Sequence, residues 1–353
     1  MAHRVTLIPG DGIGPEVSAA MRRVVEASGA QVDWDVQDAG AAVIEREGTP
    51  LPQRVLEAIR ASRTAIKGPI TTPVGTGFRS VNVALRLDLD LFAAIRPSRH
   101  FPGVPTRHPG VDLVVIRENT EDLYQGIEFE RGAPATQRLR DELARLSGIR
   151  IPEDAGITVK PISITGTRRV VRFALEHARR HGRKVVTVGH KANIMKFSDG
   201  VFLATALEVA EDYPEVEVRE LQVDELAMWL AWEPETMDVL LLPNLYGDIV
   251  SDLCAGLVGG LGLAPGANLG WEYAVFEPVH GSAPDLAGRG VANPLAMILT
   301  AAMMLRHLSE DARAARVEAA VAGVLEDGRV LTPDMGGRAR TDEVAAAVAA
   351  RLP

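Results

Sequence analysis

The feature that most constrains this chain is a repeated alternation of short, mostly apolar runs with longer segments of helical periodicity. Val5-Thr6-Leu7-Ile8 passes through the glycine turn Pro9 to Gly14 into a segment beginning near Pro15. There Val17, Met21, Val24 and Val25 fall on one helical face, and Gly29 supplies a stop. A run apolar at every position suits a strand covered on both faces, as in a sheet with helices packed on it. The motif recurs. Ala65-Ile66, Val111 to Ile116, Lys184 to Val188 and Val239 to Leu242 read as strands, and 51–62, 167–181, 198–212, 293–308, 310–326 and 341–352 read as helices. An α/β fold is the expectation.

With 353 residues, 46% of them hydrophobic, the chain can bury a large core, and its length suggests two domains. Two Pro/Gly-rich stretches read as seams: Arg96 to Gly110, and Leu242 to Gly266, which holds eight glycines or prolines. Between 131 and 161 the periodicity fades, so that segment reads as a protruding arm with no strands assigned. A single cysteine, Cys254, excludes an intramolecular disulfide, and Met1-Ala2-His3-Arg4 leads into the first strand without a secretory apolar region. A cytoplasmic address is therefore expected. Apolar runs stay short of the ~18 residues of a membrane span, so no membrane partner is expected.

The net charge of −9 argues against nucleic acid. Yet six arginines (79, 86, 96, 99, 107 and 117) lie between Arg79 and Arg117, opposed by Asp88, Asp90 and Asp112 alone. Guanidinium groups grip carboxylates with two parallel hydrogen bonds, so the stretch suits an anion pocket; it equally suits a solvated basic face.

Three constellations carry chemistry. In Leu241 to Asp252 an apolar strand leads through a short loop into a helix, with Asp248 and Asp252 spaced i,i+4 on one face. Like charges there repel by a few tenths of a kcal/mol, so the pair makes sense with a cation between them, and oxygen ligands favour Mg²⁺ or Mn²⁺. Helix capping by Asp248 with Asp252 in solvent is the alternative. Arg117 to Gly126 follows a strand, at the sheet edge where α/β proteins place ligands, and contains Tyr124 among acids as a proton donor or a structural tyrosine. Gly189 to Lys196 also follows a strand, and Lys191 there is either a base with a lowered pKa or a solvated lysine.

The dinucleotide fingerprint G-x-G-x-x-G is absent: in Gly10-Asp11-Gly12-Ile13-Gly14 the third required glycine is replaced by Pro15. A standard Rossmann domain is not expected. The other nucleotide-loop candidate is His280-Gly281-Ser282-Ala283-Pro284-Asp285-Leu286-Ala287-Gly288, followed by Asn293-Pro294. An acid in such a loop accepts hydrogen bonds from a ribose diol and repels a 2′-phosphate, favouring NAD over NADP; an ordinary Pro-Asp turn has the same residues.

Six motifs, in order along the chain, together resemble the isocitrate and isopropylmalate dehydrogenase family. They are Leu7 to Gly14, Lys67-Gly68-Pro69 through Thr72-Pro73, Arg117 to Gly126, His190 to Asp199, Asn244 to Gly262 and His280 to Pro294. The resemblance implies that family's α/β fold: a large cofactor-binding domain of residues 1–98 and 253–353, a smaller domain of 99–252 carrying the dimer interface and the arm, and a central cleft. It implies a homodimer whose active sites are shared between subunits. Asp248 and Asp252 then resemble metal ligands, with Asp224 supplied by the other subunit, and Tyr124 and Lys191 resemble the catalytic proton carriers, Lys191 acting across the interface. Arg86, Arg96 and Arg117 resemble the substrate-carboxylate clamps. Thr71, Thr72, Asn193, His280, Gly281, Ser282, Ala283, Pro284, Asp285, Leu286 and Asn293 are placed around the dinucleotide.

Within the family the segment Arg79 to Arg86 carries the choice of substrate. Ser80 and Asn82 are similar to the isocitrate enzymes, where they hydrogen-bond an extra carboxylate. Burying them against an isopropyl group would leave them unpaired, at roughly 1–3 kcal/mol each. Asp285-Leu286 resembles the NAD-using members. The implied activity is NAD- and Mg²⁺- or Mn²⁺-dependent oxidative decarboxylation of isocitrate to 2-oxoglutarate. The alternatives are homoisocitrate, 3-isopropylmalate or tartrate dehydrogenase, or a non-catalytic regulatory subunit.

Overall fold

The computed structural model describes residues 2–71 and 80–352. In chain order the elements begin with β1 (His3–Ile8), α1 (Gly14–Ala27), β2 (Val32–Val36), α2 (Ala41–Glu47), α3 (Gln53–Ser62), β3 (Thr64–Lys67), α4 (Val81–Asp88), β4 (Ala93–Arg99) and β5 (Asp112–Glu118). Then come β6 (Glu128–Phe129), α5 (Pro134–Ser147), β7 (Ile157–Thr158), α6 (Ile164–Arg180), β8 (Val185–His190), α7 (Asp199–Ala210), β9 (Glu217–Gln222), α8 (Val223–Trp232), β10 (Val239–Leu242) and α9 (Asn244–Leu257). The last are β11 (Ala267–Leu269), β12 (Ala274–Phe276), α10 (Leu295–His307), α11 (Asp311–Asp327) and α12 (Thr341–Ala349). Every expected strand and helix is present, with ends shifted by no more than three residues.

Ten of the described strands form one sheet in the order β2-β1-β3-β12-β11-β4-β5-β10-β8-β9, so the α/β expectation holds. The flank β2-β1-β3-β12 is parallel, as is the flank β5-β10-β8-β9. Three antiparallel steps, β12 to β11, β11 to β4 and β4 to β5, separate the flanks, so they run in opposite directions. Each flank is buried on both faces. The first packs α1, α10, α11 and α12 around Val17, Met21, Leu305 and Val321 on one side, and α3 and α4 around Ile59 and Leu85 on the other. The second packs α6 and α7 on one side, and α8 and α9, with Leu226, Val250 and Cys254, on the other. Among the described residues no helix is long and apolar enough to cross a membrane.

The structure differs from the sequence reading where elements cross the supposed seams. β4 runs into the first Pro/Gly stretch: Pro97 lies past the last β11 pairing, Ala267 with Ile95, so one neighbouring strand remains there. Proline is tolerated at such an edge. The second stretch opens with α9, which starts directly after Pro243 without a loop and continues through the 252/253 boundary. Its glycines at 256 and 247 sit within the helix, and Gly247 is required: a Cβ there would come within 2.5 Å of the Arg117 side chain. The arm contains α5 and a two-stranded ladder of β6 with β7. Only Thr136 of α5 is buried, while Leu146 and Ile149 nearby are exposed. A helix that buries a single residue explains why the periodicity there did not read as a core helix.

β10 is the most buried strand of its flank, with Val239 to Leu242 all at 0% exposure. Leu240→Ala should therefore cost about 2–5 kcal/mol through lost burial and the cavity left behind. A urea unfolding midpoint measures this; an unchanged midpoint would mean that the strand's packing layer is redundant.

Candidate active site

The glycine turn after β1 is a clasp between loops. Asp11 N–H donates to Pro69 O at 2.7 Å, and Ile13 N–H donates to Ser282 O at 2.9 Å. Gly10 and Gly12 have φ of +81° and +59°, and a Cβ would come within 2.2 Å of Pro69 O or 2.0 Å of Ser282 O. The Asp11 carboxylate accepts from Ala41 and Thr71 N–H groups. Thr71 Oγ1 in turn lies 2.7 Å from Ser282 Oγ. The turn thus spends its N–H groups on two loops and brings together Thr71 and Ser282, both expected at the cofactor.

Beside this clasp lies a cavity of about 270 Å³ at the antiparallel joint of the sheet. Of the expected residues, Ser80, Asn82, Arg86, Arg96, Tyr124, Asp248, Asp252, His280 and Gly281 line it. β4 alternates across the sheet, so Ala94 and Arg96 face this cavity. Arg99 faces the other way, over the Phe101 ring, and Arg107 is exposed. The basic stretch is therefore partly pocket and partly solvated face.

Asp248 is the hub. Its carboxylate accepts hydrogen bonds from Arg117 and from the Tyr124 hydroxyl, and from Arg96 Nη1 at 3.3 Å. Arg96 Nη1 also lies 3.5 Å from Asp252 Oδ1 and donates to Ser251 Oγ at 2.7 Å. A cation does sit between the i,i+4 aspartates, and it is this guanidinium. Arg117 is wholly buried; its Nε and Nη2 donate to Asn244 Oδ1 at 3.0 and 2.7 Å, and its guanidinium stacks over the Tyr124 ring.

These contacts set the protonation states. Burial pushes the Arg117 pKa down to about 9, helped by Arg86 and Arg96, which still leaves it charged at neutral pH. Burial works to raise the Asp248 pKa, but Arg117 and Arg96 outweigh it and hold the carboxyl below its usual range. Asp252 moves up through burial, with Arg96 opposing. Tyr124 is raised by burial and by its bond to the Asp248 carboxylate, so it keeps its proton and is a donor.

The cavity floor holds a cluster built on Glu277 and Asn268, which the sequence reading did not single out. Lys67 Nζ lies 2.6 Å from Glu277 Oε2, and Arg86 Nη2 lies 3.5 Å from Glu277 Oε1, which also accepts from Asn268 Nδ2 at 2.7 Å. Lys67 was visible as a lysine ending an apolar run. Glu277 follows a three-residue strand too short to show a period. Among the described residues, three buried polar atoms around the cavity have no hydrogen-bond partner: Asn82 Oδ1, Arg86 Nε and His280 Nε2. The His280 pKa is lowered by burial, so with Nδ1 donating to Gly281 O the free Nε2 is a lone-pair acceptor.

The remaining expected residues lie elsewhere. Lys191 and Asp224 pair with each other, Nζ to Oδ1 at 2.5 Å, and neither lines the cavity; nor does Asn193, which is exposed on the loop after β8. Asn293 caps α10 by accepting from Leu295 N–H at 3.0 Å and donates to Asp334 at 3.0 Å. Ala283, Pro284, Asp285 and Leu286 form the outer side of the 280s loop, with Pro284, Asp285 and Leu286 exposed. Thr72 lies outside the described residues, as does Arg79.

Among the described residues no three His, Cys, Asp or Glu side chains form a complete metal cage. Asp248 and Asp252 nonetheless suit Mg²⁺ or Mn²⁺, which bind hard oxygen donors and commonly take one or two carboxylates, with waters and substrate completing the shell.

Comparison with known proteins adds the following. The isocitrate/isopropylmalate dehydrogenase family matches residues 4–348. A Caenorhabditis elegans protein described as a probable mitochondrial NAD isocitrate dehydrogenase subunit alpha is 46% identical over 99% of this chain and 92% of its own length. An NADP isocitrate dehydrogenase of Thermus thermophilus is 45% identical over 99% of this chain and 67% of its own. The crystal structure of isocitrate dehydrogenase from Methylococcus capsulatus superposes with a TM-score of 0.91 at 47% identity, covering 99% of both chains.

Glu277 gives a pH signature. Burial works to raise its pKa, yet Lys67 and Arg86 together hold it well below the usual carboxylate range. A carboxyl depressed in the folded state contributes stability that is full above its unfolded pKa and is lost as pH falls through the folded value. Glu277→Gln should thus destabilise the protein by about 3–5 kcal/mol near pH 7 by stranding two buried cations. The gap to the parent in urea melts should stay constant from about pH 8 to 5 and narrow only in stronger acid. A gap that already closes between pH 7 and 5 would mean that Glu277 is not held ionised.

Proposed function

This chain belongs to the isocitrate/isopropylmalate dehydrogenase family, and from that membership we propose that it oxidatively decarboxylates isocitrate to 2-oxoglutarate and CO₂ with NAD and Mg²⁺ or Mn²⁺. The observation that carries this reading is the convergence on one cavity of two arginines, the phenol of Tyr124 and the carboxylates of Asp248 and Asp252, with the buried Arg117 bonded to Asp248 directly behind. A tricarboxylic substrate needs cations for its anionic arms, and Arg86, Arg96 and Arg117 already hold carboxylates of the chain itself. The partnerless Arg86 Nε and the Asn82 amide add two hydrogen-bonding groups; a rotated amide presents its N–H to a carboxylate. That polar wall favours isocitrate over an isopropyl-bearing acid.

Asp248 and Asp252 would hold the divalent ion, with Asp224 of a second copy of the chain. When bound, the ion supplies Lewis-acid polarisation of the substrate's hydroxyl and carboxylate oxygens. Lys191 of that second copy would accept the hydroxyl proton, NAD⁺ when bound would supply the hydride acceptor, and Tyr124, held protonated by burial, would give a proton to the carbon that loss of CO₂ leaves. Arg117, stacked on the Tyr124 ring, fixes the phenol's direction. Asp285, exposed at the tip of the 280s loop, suits a ribose diol and would repel a 2′-phosphate, which supports NAD.

A homodimer completes the reading. Lys191 and Asp224 do not line their own cavity, and the elements around them expose Phe197 (92%), Ile194 (70%), Trp232 (71%), Ile249 (62%) and Met228 (48%). Apolar patches of this kind mark interfaces. The arm exposes two further apolar residues, Leu146 and Ile149. We read residues 1–98 with 253–353 as the cofactor lobe and 99–252 as the dimer lobe, and the buried free thiol of Cys254 suits a reducing compartment such as the cytoplasm.

Side-by-side kcat/KM measurements test this. Isocitrate with NAD should exceed homoisocitrate, 3-isopropylmalate and tartrate, exceed isocitrate with NADP, and vanish after EDTA treatment until Mg²⁺ or Mn²⁺ is restored. Better turnover of another acid would reassign the substrate, and no turnover of any would favour a regulatory subunit. Tyr124→Phe should lower kcat by roughly 10²-fold or more, the scale of general acid–base catalysis, with KM for NAD little changed. Near-normal turnover would remove Tyr124 from the mechanism.

A further inference from the structure

A buried ionic chain links the two proton carriers of the proposed reaction. The N–H of Lys191 donates to Asp199 Oδ2 at 2.8 Å. Asp199 Oδ1 accepts from Lys160 Nζ at 2.6 Å, and the same ammonium lies 3.8 Å from Asp122 Oδ1. Asp122 accepts from Leu123 N–H and from Leu245 N–H, both at 2.8 Å. It thereby ties the start of the turn that carries Tyr124 to the start of α9, which carries Asp248 four residues further on. Both carboxylates are essentially inaccessible, at 0% for Asp199 and 1% for Asp122, and Lys160 is 14% exposed.

Three further observations argue that this is more than a stray ion pair. Asp122 is held at φ +66°, a left-handed conformation that costs a non-glycine residue energy and persists only where surrounding contacts over-determine it. One ammonium serves two buried carboxylates, so removing it leaves two like charges facing each other out of water. The ammonium also sits 4.5 Å over the ring of Tyr246, two residues before Asp248, and 3.8 Å from Met195 Sδ, on the same loop as Lys191. Lys160 therefore touches three stretches of chain at once: the loop bearing Lys191, the turn bearing Tyr124 and the helix bearing Asp248.

We propose that Lys160, with Asp122 and Asp199, is a positioning element that fixes this chain's Tyr124 for its own active site and, at the same time, the Lys191 that it lends to its partner. This rests on the shared-site homodimer proposed above. Under it each Lys160 serves two active sites, and a disturbance in one subunit reaches both.

Mixed dimers test it. Pairing a Tyr124→Phe subunit with a Lys191→Met subunit puts both defects into one site and leaves the other intact, so about half the parent kcat per dimer should return. Lys160→Met is then added to either subunit in turn. In the Lys191→Met subunit it disturbs the surviving Tyr124; in the Tyr124→Phe subunit it disturbs the surviving Lys191. Each placement should lower kcat roughly 10- to 100-fold, the scale on which small misplacements of reacting groups act, with isocitrate KM within about twofold. Lys160→Arg should recover most of the loss. Loss from one placement only, or a KM rise without a kcat change, would overturn the dual role. If the starting pair regains no activity, the shared-site reading itself falls, and the proposal with it. Should Lys160→Met not fold, Lys160→Gln, which keeps a hydrogen bond to Asp199 without the charge, is read in the same two placements against the same outcomes.

Discussion

The arrangement of the cavity depends on one carboxylate. Asp248 is shared by two guanidinium groups and a phenol, and each sits on a different element: Arg96 on β4, Arg117 at the end of β5, Tyr124 on the turn beyond it. Those elements meet because the sheet reverses direction through its antiparallel steps, so the outgoing end of one parallel flank lies against the middle of the joint. Without that reversal, α9 and β4 would not face the same space. The charge balance follows from the geometry: buried guanidinium groups need carboxylates beside them, and here the half-buried Asp248 and the exposed Asp252 supply them to Arg96 and Arg117 from i,i+4 on one helix.

Much of this could be read in the residues. Runs apolar at every position, such as Val239 to Leu242, became strands covered on both faces, because no other element hides consecutive apolar side chains so economically. Asp248 and Asp252 could be placed on one helix face from spacing alone, whereas Arg86, Arg96 and Arg117 were three of six arginines in an acid-poor stretch and only the family resemblance picked them out. What was illegible had physical causes. β2 and β9 lie at the sheet edges, with polar residues exposed, so they carry no apolar signature. β11 and β12 are three residues each and hold their place through partners distant in sequence. Glu277 is significant only because the sheet brings Lys67 and Arg86 to it.

The glycine turn shows a different limit. Its spacing excluded a dinucleotide fingerprint, but nothing in Gly10 to Gly14 announced that its amides would be given to Pro69 and Ser282. That assignment needs the positive φ values and the close approach of three loops, which are properties of the assembled fold.

That stitching carries a consequence for how the protein can diversify. The hydrogen bonds joining the first turn to the 60s and 280s loops run largely between main-chain atoms, so the frame does not depend on which side chains the 280s loop displays outward. Pro284, Asp285 and Leu286 are exposed on a support that their replacement leaves standing. Under the proposed reading, in which these residues meet the nucleotide, cofactor preference can drift by their exchange while the architecture beneath them is inherited unchanged.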